Sequence, residues 1–144
     1  MKEIVMKTRF SAKGAMRAGA MIMAALSLGA CATMDSGTPE QIVTKRAQAY
    51  WDARLKGDAT TAYGFANDAF RQAVSEQKFK QGHMATFAVG AEVQKVECDA
   101  QKCDVGTNLK VNPPLPGKKI GTIDVYSKQT WLLEDGQWKL FMEP

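Results

Sequence analysis

Few residues in this 144-residue chain are of types that do chemistry: cysteines at 31, 98 and 103, a single histidine, and a scatter of carboxylates and phenols. An acid–base site would draw on Asp52, Asp58, Asp68, His83, Asp124, Tyr50, Tyr63 or Tyr126. General base chemistry needs a carboxylate or imidazole of tuned pKa in a dry pocket, with an acid beside it. No two of these residues stand at a spacing that pairs an acid with a base, so no catalytic residue is assigned. Asp52 has Arg54 and Lys56 as neighbours and reads as part of a solvated face. Asp58 and Asp68 read as helix-start residues, where the dipole favours an anion. Asp124 falls in a strand; pointing inward it is a candidate base, and at an edge or outward it is surface. His83 follows Gly82 in a connecting loop and reads as solvated. One histidine and a single remaining cysteine pair do not make a metal site. No cofactor is implied.

Cys98 and Cys103 lie in Val-Glu-Cys98-Asp-Ala-Gln-Lys-Cys103-Asp-Val. Two β-type runs, Glu92–Cys98 and Cys103–Val111, flank a polar four-residue connection, which brings the cysteines face to face across a hairpin. In an exported protein such a pair closes. A redox pair would have C-x-x-C spacing, which is absent.

Export is the reading of residues 1–30. Lys2, Lys7, Arg9, Lys13 and Arg17 are basic and only Glu3 is acidic; an uncharged run, AGAMIMAALSLGA, then extends from Ala18 to Ala30. A basic segment before about a dozen apolar residues matches a secretory signal, and is shorter than the roughly 20 residues of a membrane-spanning helix. Met1, Met6 and Met16 are all open as the start. Leu28-Gly29-Ala30-Cys31 resembles the lipobox of bacterial lipoproteins. The resemblance implies cleavage before Cys31, a diacylglyceryl group on its thiol, and membrane attachment by acyl chains. Ala32 in place of aspartate implies outer-membrane sorting in a two-membrane host, facing the periplasm. The chain as a whole carries a formal charge of +4. Taking five of nineteen basic and one of fifteen acidic residues away with this segment leaves fourteen of each. The basicity belongs to export, and a nucleic-acid partner loses its support.

The elements that must position any site follow from patterning. Residues 31–38 read as a flexible tether. Thr38, Pro39 and Gln41 start a helix with a capping box. Val43, Ala47, Tyr50, Trp51 and Leu55 recur on one face of it, and Gly57 ends it. Asp58 caps a second helix, Ala59 to about Ala66; Asn67 caps a third; Ser75 and Phe79 mark a further turn. Strands follow: a partly alternating run over 86–97, then Val105, Thr107, Leu109 and Val111 in clean alternation. Pro113-Pro114-Leu115-Pro116-Gly117 is a loop. A long strand runs from Ile120 to Leu133, with a parity switch between Ile120/Thr122 and Ile123/Val125 that predicts a bulge or bend. Asp135-Gly136 is a hairpin turn into a last strand carrying Trp138, Leu140 and Met142. Helices followed by about four antiparallel strands make an α+β domain over residues 39–144, its sheet curving round the first helix. Tyr50, Trp51, Tyr63, Phe65, Phe70, Phe79, Phe87, Trp131, Trp138 and Phe141 are read mostly as core.

The runs Ala49-Tyr-Trp-Asp-Ala-Arg-Leu-Lys-Gly-Asp58, Ala62-Tyr63-Gly64-Phe65 and Phe70-Arg71 resemble the N-terminal helices of the nuclear transport factor 2-like (cystatin-like α+β cone) superfamily. Trp131-Leu-Leu-Glu-Asp-Gly-Gln-Trp138-Lys139 resembles its closing hairpin. The likeness spans about residues 40–144. It implies a cone with an apolar pocket at its open end, in which Tyr50, Tyr63 and Trp131, with Asp124 if inward, are the candidate lining. Its members include isomerases, dehydratases and cyclases as well as binding and assembly domains, so fold alone selects no activity. The expected role is a lipid-anchored, non-catalytic binding or assembly module, with a homodimer or an envelope protein as partner. A carrier of a small apolar ligand, an isomerase- or dehydratase-like enzyme, and a subunit of an envelope secretion or transport complex are the alternatives.

Overall fold

The Thr38 hydroxyl accepts from the Gln41 amide, and the Gln41 side chain accepts in return from the Thr38 amide, so the capping box closes. It opens α1, Pro39–Lys56, which ends at Gly57 with φ 74°. A left-handed residue there lets the Gly57 amide reach back to Ala53 and Arg54 carbonyls; a side chain at this φ would be strained. The computed structural model describes residues 36–84, 86–114, 116–117 and 121–144. The export segment, Cys31 and most of the tether lie outside these residues, as do Leu115 and Ile120.

Three short helices follow. Asp58 accepts from the Thr61 amide and starts α2, Ala59–Gly64. This helix stops two residues short of the expected Ala66, because residues 65–67 turn to pair with the last strand. The Asn67 amide donates to the Leu140 carbonyl, the Leu140 amide donates to the Phe65 carbonyl, and Ala66 bridges Leu140 in parallel. Asn67 does not cap α3, Asp68–Ala73, with its side chain; its Oδ1 accepts instead from the Met142 amide at 2.9 Å. Ser75 caps α4, Glu76–Gly82.

Among the described residues one antiparallel sheet is formed, in the order β1 (Ala88–Cys98), β2 (Lys102–Val111), β3 (Ile123–Glu134), β4 (Gln137–Leu140). The Asp135-Gly136 turn has φ 47° and 76°, as a two-residue hairpin of matching twist requires. Irregularity falls on β1, with register shifts between Ala88 and Gly90 and between Val93 and Lys95, and not on β3, whose pairing with β2 is unbroken from Ile123 to Leu132. The predicted bulge or bend falls before Ile123, where β3 begins, and reaches Ile120, which lies outside the described residues.

The inner face is set by period two. Cys103, Val105, Thr107 and Leu109 are buried, while Lys102, Asp104 and Lys110 face out. Register carries that division to β3, where Ser127, Gln129 and Trp131 lie opposite Thr107, Val105 and Cys103. Helix α1 packs against β1, β2 and β4, so the sheet wraps round its Val43, Ala47, Tyr50 and Trp51 face. The aromatic core holds for Trp131, Phe70, Phe79, Tyr50, Trp51 and Trp138. It fails for Phe87 and Phe141, which are 62% and 44% exposed, because each lies in chain just outside its strand.

Cys98 and Cys103 are paired by register and bonded, with Cα atoms 4.0 Å apart. Asp99 shapes the connection: its carboxylate accepts from the Gln101 and Lys102 amides. Closing so short a loop stabilises by about 2 kcal/mol. Replacing both cysteines by serine is expected to lower stability by about that amount in urea unfolding, with the far-ultraviolet circular dichroism unchanged.

Candidate functional site

Tyr50, Trp51 and Arg54 sit at i, i+1 and i+4 of α1, one patch of one helix face. They look across at β3 where β4 has ended, and a hollow of about 390 Å³ opens there. Its walls are those three residues, Ser127 to Thr130, and Leu140, Phe141 and Met142. Arg54 is held in place by ring stacking and hydrogen bonds. Its guanidinium stacks over Trp51 and Tyr50 at 5.2 and 5.7 Å, Nη1 donates to the Tyr50 hydroxyl at 3.3 Å, and Nη2 donates to the His83 carbonyl at 2.7 Å. Burial pushes the Tyr50 phenol above its ordinary pKa, with Arg54 opposing. It stays a neutral hydrogen-bond group at physiological pH. Among the described residues, Trp51 Nε1 and Gln129 Oε1 are buried in this wall without a hydrogen-bond partner, as is Thr107 Oγ1 on the adjoining inner face of β2. Each such orphan is unfavourable by about 1–3 kcal/mol until something satisfies it.

The four residues expected to line one pocket are not brought together. Tyr50 lines the hollow. Trp131 is wholly buried beneath it. Tyr63 lies on α2, its ring 5.5 Å from that of Phe79 and its hydroxyl 2.7 Å from the Val74 carbonyl. Asp124 points outward, because it pairs in register with Lys110 on the solvent side of β2. Its carboxylate is 3.6 Å from Lys110 Nζ and 3.4 Å from Asn108 Nδ2. His83 is not a solvated loop residue: its ring stacks on Phe79 at 5.6 Å and meets Phe70 edge-on at 5.2 Å. Asp52 is half-buried and accepts from Gln48 rather than standing free in water. Among the described residues no cluster of histidine, cysteine and carboxylate could hold a metal.

Sequence reasoning missed Trp51, Arg54, Ser127 and Gln129 as lining. The signal was present for the last two: they share parity with Trp131, so a polar pair occupies inward positions of a strand whose other inward residues are apolar. What this wall can do is hold a polar group, through hydroxyls, an amide and an indole N–H. It has no carboxylate or imidazole to take a proton from a substrate.

A second charged cluster lies at β4. Lys139 is 9% exposed, and burial lowers its pKa, with Arg71 and Arg46 adding and Asp68 and Glu134 opposing. Asp68 itself is ion-paired to Arg71, and its amide donates to Glu134 at 2.9 Å. A lysine with a lowered native pKa binds fewer protons folded than unfolded within the window between the two values. Stability therefore rises with pH from the folded pKa up to about 10.4. Lys139→Met is expected to stabilise the domain by about 0.5–1 kcal/mol at pH 7 and to flatten that alkaline rise, as read from thermal midpoints across pH 7–10.5.

No family model matches the chain, and no curated protein matches it. Similarity appears in solved structures, and at the level of fold. A SEC-C-motif protein from Psychrobacter arcticus is 9% identical with a TM-score of 0.55, covering 75% of this chain and 63% of that one. A SEC-C-motif protein from Rhodopseudomonas palustris is 10% identical with a TM-score of 0.52, covering 72% and 75%. An NTF2-like protein from Campylobacter jejuni is 8% identical with a TM-score of 0.48, covering 74% and 100%. The described residues form an α+β domain, four helices before a four-stranded antiparallel sheet, and its structural neighbours include NTF2-like and cystatin-fold proteins.

Proposed function

We propose that this chain is a lipid-anchored protein of the cell envelope whose NTF2-like domain binds rather than catalyses. One observation carries the second half of that reading. The hollow has hydrogen-bonding groups and aromatic walls but no carboxylate or imidazole, while the carboxylate best suited to act as base, Asp124, is tied to Lys110 on the outer face of the sheet. Groups that hold a ligand are present, and a carboxylate or imidazole base is not among the lining residues. Support for the first half comes from Leu28-Gly29-Ala30-Cys31 and the basic, apolar segment before it. Six residues separate Cys31 from the Thr38 cap, and the seven steps along the chain reach at most about 25 Å. The domain would then ride close to the bilayer, in the outer membrane and facing the periplasm.

Mass spectrometry of the native protein tests both halves. A mature chain beginning at an acylated Cys31, together with a bound small molecule released on unfolding, is the expected result. An unmodified Cys31 in an exported protein removes the anchor. A measurable turnover that persists in Tyr50→Phe but is lost in Asp124→Asn removes the non-catalytic reading.

A further inference from the structure

Strand β3 has twelve residues, yet β4 pairs only with its last four, Trp131 to Glu134. Beyond them the Thr130 carbonyl takes the Phe141 amide at 2.8 Å. In a strand, residues of one parity point their N–H and C=O to the same side. Thr130 faces the β4 side, so Asp124, Tyr126 and Lys128 face it too. Among the described residues no strand pairs with that stretch. Long open edges are hazards that proteins cover or blunt. This one is flanked by exposed apolar surface: Ile123 is 43% exposed, Val125 39% and Tyr126 57%.

The order of charges along the edge identifies what covers it. Asp124-Val125-Tyr126-Ser127-Lys128 reverses its sign about Tyr126. An antiparallel copy of the same strand, centred on Tyr126, sets each Asp124 opposite the other copy's Lys128. Tyr126 then faces Tyr126, and Val125 faces Ser127. All three hydrogen-bonding positions, 124, 126 and 128, fall in register, giving about six main-chain bonds. A two-fold interface must be self-complementary in this way. We propose that the β3 edge is the docking site for a second copy of this chain, forming one continuous sheet across the dimer through the segment 123–129.

Charge reversal tests it, because both residues are exposed. Sedimentation of the full chain in detergent is expected to show a dimer. Asp124→Lys alone and Lys128→Asp alone each place like charges opposite one another twice, and each is expected to weaken self-association at least about tenfold. Mixing the two variants restores opposite charges at both contacts, so a heterodimer is expected to return, as is a homodimer of the double reversal. A wild-type chain that stays monomeric at about 100 μM, or a dimer indifferent to both single reversals, overturns the proposal. The binding reading of the hollow is judged apart from this, by the released small molecule.

Discussion

Trp131→Ala is expected to destabilise the domain by about 3–5 kcal/mol, a large share of the 5–15 kcal/mol of a domain this size. The side chain is wholly buried. It sits at the junction of three strands, opposite Cys103 on β2 and Leu140 on β4, with the Phe65 ring meeting it edge-on at 6.0 Å. Truncation empties the centre of the core, where the sheet cannot close the gap without breaking its register. Trp131→Phe separates packing from polarity. The indole Nε1 is buried without a partner among the described residues, and phenylalanine keeps most of the ring while removing that donor. Loss of contact and relief of the orphan oppose each other, so a change within about 1 kcal/mol is expected. Urea unfolding followed by circular dichroism measures both. A phenylalanine variant as damaged as the alanine one would mean that the indole N–H is satisfied in solution.

What was legible in the sequence was local. The capping box at Thr38, the stop at Gly57, the Asp58 cap, the turn at Ser75 and the Asp135-Gly136 hairpin each depend on residues within a few positions, and each is present. The Cys98–Cys103 staple was legible for the same reason. The site was less so, because it depends on parity carried across strands. Asp124 attracted interest as a strand carboxylate, but only the pairing with Lys110 fixes which face it takes. The apolar switch before Ile123 reaches residues outside those described. Ile123 and Val125 are inward by register yet partly exposed, because none of the described helices covers that end of the sheet. Asn67 looked like a cap since asparagine before a helix usually is one; a tertiary partner, the Met142 amide, claimed it. The register shifts of β1 fall in the run that alternates only partly, which does not by itself place them.

That passage is where a single side chain has its widest reach. Gln48 is the polar residue of α1 turned toward the free edge of β1. Its Nε2 donates to the Ala91 carbonyl at 2.9 Å and to Asp52 Oδ1 at 3.0 Å, and its Oε1 accepts from the Val93 amide at 3.2 Å. Ala91 and Val93 share parity, so their main-chain groups on this side would meet water or another strand; the amide of Gln48 stands in for that strand. It also fixes α1 immediately before the register shift between Val93 and Lys95. Gln48→Ala removes three hydrogen bonds and leaves half-buried main-chain groups without partners, and the expected loss is about 2–3 kcal/mol. Gln48→Glu discriminates between packing and bonding. It keeps the shape and can accept from the Val93 amide, but it loses both donations and places a carboxylate against the Ala91 carbonyl and Asp52. Its loss is expected to be similar at pH 7 and smaller at pH 4, where protonation restores a donor. Amide hydrogen exchange at Val93 is the local readout: it is expected to speed up in the alanine variant beyond what the global loss accounts for. Unchanged relative protection there would mean that the β1 edge is held by something other than Gln48.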